Sequence, residues 1–227
     1  MTVDEVIVEL KSLSTPEHFA QLAHFGIKDS KALGIKIPLL RQFAKKLGKN
    51  HDLALELWKT EIHEARLLAT MIEDSEQITE SQFDAWVNDF DSWDLCDQSC
   101  SLLIKTPFAI SKIETYSRCE AEFVKRTCFV LMCALVFQNK KMQDEEFFPF
   151  FELIEREARD NRNFVRKAVN WALRQVGKRN EVLRLKAIEC AERIYNQGTK
   201  SARWIASDAL RELKNEKIIA RLNKVKA

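Results

Sequence analysis

At 227 residues, with 46% hydrophobic side chains, the chain is long enough to bury a substantial core as one large domain. Five glycines and four prolines leave little room for turn-rich sheet or disorder, and the abundance of Ala, Leu, Glu, Lys and Arg favours an all-α protein. The formal charge of +2 hides a division: residues 1–120 hold 13 Lys/Arg against 20 Asp/Glu, whereas residues 121–227 hold 23 against 14. That asymmetry points the second half toward a polyanion.

The opening MTVDEVIVELKSL carries acids inside its apolar pattern, unlike a signal peptide, and no run of about 18 apolar residues follows. A soluble, intracellular monomer is expected, cytoplasmic and, in a prokaryote, nucleoid-associated. Apolar residues recur at three- and four-residue spacing nearly throughout. The spacing predicts helices over 3–13, 16–25, 38–47, 51–59, 61–73, 79–90, 92–104, 107–117, 120–138, 144–158, 162–177, 180–196, 199–213 and 215–225. Thr15 and Pro16 supply a cap and a first-turn proline, and Gly26, Gly48 and Gly177 stand where helix ends call for a left-handed residue. The stretch 26–37 reads as a connection between early helices. About fourteen helices with short connections suggest stacked antiparallel pairs, an α-solenoid, rather than a four-helix bundle. The six cysteines (96, 100, 119, 128, 133, 190) contain no C-x-x-C pair and read as reduced, buried thiols.

Three of these helices carry unusual residues. In SWDLCDQSCSLLI, with Asp91 or Ser92 as N-cap, Leu95, Cys96, Ser99, Leu102 and Leu103 share one face, and Trp93 and Asp97 share roughly the opposite one. That pair is either a packing tryptophan beside a surface acid or the start of a site. The helix AEFVKRTCFVLMCALVF is apolar nearly all round, with Arg126 at its entrance. A buried guanidinium requires an anion, and Asp97, a DNA phosphate or a helix-orienting salt bridge would each serve. In NFVRKAVNWALRQVGK, Asn163, Lys167, Asn170, Trp171, Arg174 and Lys178 align opposite a wide apolar face. Cations flanking an aromatic suit a surface that holds phosphates while a flat ring packs on sugar or base. Around it, between Arg159 and Lys186, nine bases face only Asp160 and Glu181.

The pieces SWDLCDQ (92–98), FVKRTCFVL (123–131) and FVRKAVNWALRQ (164–175), with LGIKIPLLRQFAK (33–45) before them, resemble the AlkD-type family of DNA alkylation-repair glycosylases. The resemblance implies an all-α superhelix of HEAT-like antiparallel helix pairs forming one domain over 1–227, with a concave basic face for duplex DNA. It implies a monofunctional hydrolase that removes cationic N3- or N7-alkylated purines without flipping the base, with no cofactor, metal or membrane partner. Carried over by motif, Trp93, Asp97 and Trp171 are the catalytic residues and Arg126 the phosphate-side arginine, with Arg174 a further DNA contact beside Lys167 and Lys178. Ile37 departs from the family's preference for polar residues after Leu-Gly-Ile. The helix ARWIASDALREL, with Trp204, Asp208 and Arg211, resembles a different branch and is expected to close the solenoid.

Rival chemistries find no support in the sequence. His18, His24, His51 and His63 make no metal-ligand spacing, and neither a Gly-rich phosphate loop nor a G-x-S-x-G elbow occurs. The alternatives to the enzyme are a non-catalytic HEAT-like binder of damaged or branched DNA and a protein-interaction scaffold.

Overall fold

The computed structural model describes residues 1–22, 24, 26, 27 and 31–224. Residues 23 and 25 of the expected helix 16–25, residues 28–30 of the expected connection and residue 225 of the last expected helix lie outside the described residues. Among the described residues there are fourteen α-helices and no strand, in two compact units, Met1–Phe108 and Ala109–Ala227.

The first unit contains α1 (Val3–Ser12), α2 (Pro16–Leu22), α3 (Ile37–Leu47), α4 (His51–Lys59), α5 (His63–Ile72), α6 (Glu80–Asn88) and α7 (Trp93–Leu103). Contacts between helix ends give their directions. The start of α5 bonds to the chain entering α3 and to the start of α7, and the ends of α3 and α5 meet through Lys49 and the Met71 and Glu73 carbonyls. Helices α3, α5 and α7 therefore form a parallel row. Behind it, the ends of α4 and α6 are joined by Trp58, which stacks on Trp86 at 4.1 Å and donates Nε1 to Asp89 at 2.8 Å. These two tryptophans are 5% and 4% exposed and belong to the core.

The second unit repeats the plan with α8 (Ala109–Ser117), α9 (Glu122–Gln138), α10 (Phe148–Glu157), α11 (Asn163–Gly177), α12 (Glu181–Asn196), α13 (Lys200–Leu213) and α14 (Glu216–Lys224). Arg126 of α9 reaches Phe164 at the start of α11, and Arg179 just after α11 reaches the Val136 carbonyl near the end of α9. Arg166 meets Trp204 and Gly177 meets Leu213, so α9, α11 and α13 run parallel. Helices α10 and α12 form the other layer, joined from Asn180–Asp144 to Gln197–Glu155. Each hairpin buries an apolar face that it could not bury alone.

Two boundaries and one glycine differ instructively from the expectation. The stretch 144–158 is a 3-10 turn, Asp144–Phe147, followed by α10, because Pro149 near the helix start has no N–H to continue a single helix. Glu61 has φ 58°, so α5 starts only at His63. Gly26 and Gly48 take positive φ as expected, but Gly177 does not; it ends α11 where a Cβ would come within 2.7 Å of Ala187 Cβ and 2.9 Å of Leu213. Close helix packing, not a left-handed turn, requires that glycine. All six cysteines are free, and all but the half-buried Cys119 are buried. Burial pushes the Cys190 thiol up to about 12, so it is a core hydrophobe rather than a nucleophile.

Candidate functional site

The first turn of α5 organises the site in the first unit. Glu64 is 1% exposed, and its carboxylate accepts the backbone N–H groups of Leu33, Gly34 and Ile35 at 2.7, 2.7 and 3.1 Å. A buried carboxylate is tolerable when such charge-assisted bonds surround it. Gly34 has φ +75°, and a Cβ there would meet the Phe19 backbone at 2.8 Å. The Leu-Gly-Ile segment is thus a folded nest around Glu64 that sets where α3 begins.

The neighbouring His63 donates Nε2–H to Asp94 Oδ2 at 2.9 Å; the two side chains are 7% and 14% exposed. Burial alone would lower the His63 pKa, but the hydrogen bond and charge of Asp94, with the charges of Glu64 and Asp91, raise it above the ordinary value. Burial would raise the Asp94 pKa, and the His63 hydrogen bond and charge hold it below the usual carboxylate range. The pair is a largely buried ion pair tying α5 to α7 one residue after Trp93.

On α7 the expected arrangement is present. Leu95, Cys96, Ser99, Leu102 and Leu103 are buried, while Trp93 and Asp97 are half-buried one turn apart. Ser92 is the N-cap, though its side chain makes no capping bond. Trp93, Asp94 and Asp97 line a cavity of about 210 Å³ with Ile37, Arg41, Gln98 and Ser101. Trp93, Asp94 and Ile37 also line a second, more apolar cavity of about 170 Å³ with His63, Glu64, Leu67, His18, Leu22, Ile27 and Ile35. Ile37 is therefore a wall between site elements, which accounts for an apolar residue at that place in the motif.

In the second unit Arg126 is 5% exposed and donates Nη1–H to the Phe164 carbonyl at 2.8 Å. On α11, Lys167 is exposed and Trp171 half-buried, as the helical face implies. Asn170 departs from that face: it is 2% exposed and donates to the Ile205 carbonyl at 3.2 Å, a buried strut to α13 rather than part of the polar stripe. Arg174 and Lys178 are engaged as well. Glu212 of α13 takes Arg174 Nη1 at 2.6 Å and Lys178 Nζ at 2.7 Å, and Asp208 lies 3.5 Å from Arg174 Nε. Burial would raise the Glu212 pKa, but the hydrogen bonds and charges of Lys178 and Arg174 lower it. With its oxygen turned inward, the Gln175 amide accepts from Trp171 Nε1 at 3.0 Å and from Lys178 Nζ at 3.1 Å, which fixes the indole edge.

Each candidate residue on a helix thus lies on its unit's row of parallel helices, α3–α5–α7 for Trp93 and Asp97 and α9–α11–α13 for Arg126, Lys167, Trp171 and Arg174; Lys178 is the cap residue of α11. Sequence reasoning missed Arg41, Gln98 and Ser101 around the Asp97 cavity and the His63–Asp94 pair. Arg41 lay inside the early motif and is spaced four residues from Ile37, a signal that could have marked it. His63 and Asp94 are 31 residues apart, and no helical periodicity connects them.

Rows of stacked helical hairpins presenting tryptophan, carboxylate and arginine define a repeat protein of the HEAT-like kind. The family model described as DNA alkylation repair enzyme matches residues 6–216, and the chain belongs to that family. Among solved structures it is similar to one described as a new family of proteins related to the HEAT-like repeat DNA glycosylases with affinity for branched DNA structures. The TM-score is 0.78 at 20% identity, over 93% of this chain and 95% of that one. Comparison with curated proteins returns no match.

Proposed function

We propose that this protein is a monofunctional DNA glycosylase that hydrolyses the N-glycosidic bond of N3- or N7-alkylated purines in duplex DNA. The observation that carries this reading is the Trp93–Asp97 pair at a cavity of about 210 Å³, which Asp94, the partner of His63, also lines. In this reading Asp97 serves a reaction that develops positive charge. As the C1′–N bond breaks, its electron pair leaves with the cationic base, which departs neutral and needs no general acid. The deoxyribose takes oxocarbenium character, and a fixed carboxylate stabilises that charge and orients the water whose oxygen adds to C1′. One of the water's protons passes to the carboxylate or to solvent and the other stays on the new C1′ hydroxyl, leaving an abasic site. At about 4 Å and an effective dielectric near 20, the interaction is worth about 4 kcal/mol, roughly a thousandfold in rate.

Trp93 and Trp171 contact sugar and backbone in this reading, while Arg126, Lys167, Arg174 and Lys178 serve DNA phosphates. The protein acts as a monomer in the compartment that holds the DNA. The test is single-turnover release of 7-methylguanine or 3-methyladenine from methylated duplex DNA. Asp97→Asn is expected to lose about a thousandfold in rate while DNA affinity changes little. A second reading, a binder of branched DNA that excises nothing, draws support from the description of the structural neighbour. It predicts no release by the wild type and tighter binding to a four-way junction than to duplex.

A further inference from the structure

The surface where the second unit's charge is left unspent differs from the one its composition points to. Of the nine cations from Arg159 to Lys186, Arg162, Arg174, Lys178 and Arg184 pair with carboxylates. Arg159 and Arg179 donate to neutral oxygens, and Lys186 lies over Phe148. Two remain on the first turns of α11. Lys167 is exposed, and Arg166 lies 4.7 Å from the centre of the Trp204 ring; among the described residues neither makes an ion pair with a carboxylate. Arg166 Nε is moreover buried with no hydrogen-bond partner. Trp204 itself is 40% exposed, against 5% and 4% for the core tryptophans Trp58 and Trp86. Lys200, exposed and one turn before Trp204 on α13, adds a third cation without a carboxylate partner among the described residues.

Trp204 and Asp208 repeat the Trp-x-x-x-Asp spacing of Trp93 and Asp97, but they are not a second catalytic pair. Asp208 is bridged by Arg174 and bonded by Arg211, so its charge is already answered. What the α13 copy offers is an exposed flat ring flanked by unpaired cations. A surface of that kind fits a sugar–phosphate strand: cations take the phosphates, and the indole packs on a sugar or an unstacked base.

We infer that Trp204, Arg166, Lys167 and Lys200 form a further DNA-contacting surface, one helix beyond Trp171 in the same parallel row. This inference rests on the DNA-binding reading but not on base excision. Its test is equilibrium binding of duplex and four-way-junction DNA across a salt series. Trp204→Ala is expected to weaken binding roughly tenfold, and Trp204→Phe to recover most of that loss. Arg166→Gln is expected to flatten the plot of log affinity against log salt by about 0.9. Tyr195→Ala, which removes a 48% exposed ring from α12 in the other layer, is expected to bind as the wild type does. Wild-type affinity and slope in both Trp204→Ala and Arg166→Gln, or an equal loss in Tyr195→Ala, would overturn the inference while leaving DNA binding intact. A wild type that binds no DNA at low salt would overturn both.

Discussion

The rows α3–α5–α7 and α9–α11–α13 are built on one plan of parallel helices, yet they handle charge differently. In the first, the half with the acidic balance, two of the carboxylates that line the cavities are already satisfied. Glu64 is taken by three backbone N–H groups and Asp94 by His63, and Asp97 stands at the cavity wall. In the second, the basic half, α13 turns Asp208 and Glu212 onto the cations of α11. Net charge counts both kinds of group equally, so it overstates what the basic half offers a polyanion and says nothing of the half-buried Asp97 carboxylate at the cavity in the acidic half.

The comparison can be broken in four ways. Removing His63 should have the largest effect on stability: His63→Ala leaves Asp94 buried without its partner, at a cost of about 3–5 kcal/mol in chemical denaturation. Replacement without that loss would mean that the ion pair does not hold α7. Gly34→Ala forces a side chain into left-handed backbone against Phe19 and should cost about 2 kcal/mol. A melting temperature equal to the wild type's would contradict the nest around Glu64.

Glu212→Gln should sharpen the contrast from the other side. With the carboxylate gone, Arg174 and Lys178 are released, and DNA affinity at low salt should rise on the order of tenfold, with a steeper salt dependence. A loss of affinity would show that Glu212 positions these cations rather than competing for them. The smallest effect is in pH. His63 has a raised folded pKa, so its contribution is full below the ordinary histidine value and fades as pH rises through the folded one. Asp94 has a lowered pKa, so its contribution is present above the ordinary carboxylate value and fades as pH falls through the folded one. The stability gap between wild type and His63→Gln should therefore be widest in mildly acidic solution and narrow on both sides. A gap that widens with rising pH would contradict the ion pair.

Much of this was legible because it is local. Trp93 and Asp97 lie one turn apart on one helix, and Lys167 and Trp171 likewise, so helical geometry alone places each pair on a face. Asn170 sat at the right angle for that stripe, but the approach of α13 on its side buries it, and the position of α13 is not written in α11. Gly177 illustrates the same limit: its place at a helix end suggested a turn, whereas its neighbours Ala187 and Leu213 come from two other helices. His63–Asp94 and Glu212–Arg174 join residues 31 and 38 apart, and only the stacking of hairpins brings them together.

The central claim is that Asp97 stabilises positive charge at a sugar whose base is leaving. Its most direct measurement is single-turnover release of 7-methylguanine from duplex DNA at saturating protein, wild type beside Asp97→Asn. The account predicts release by the wild type and a loss of about a thousandfold in the variant at nearly unchanged DNA affinity. Equal rates in the two proteins, or no release by a wild type that binds the same DNA, would contradict it.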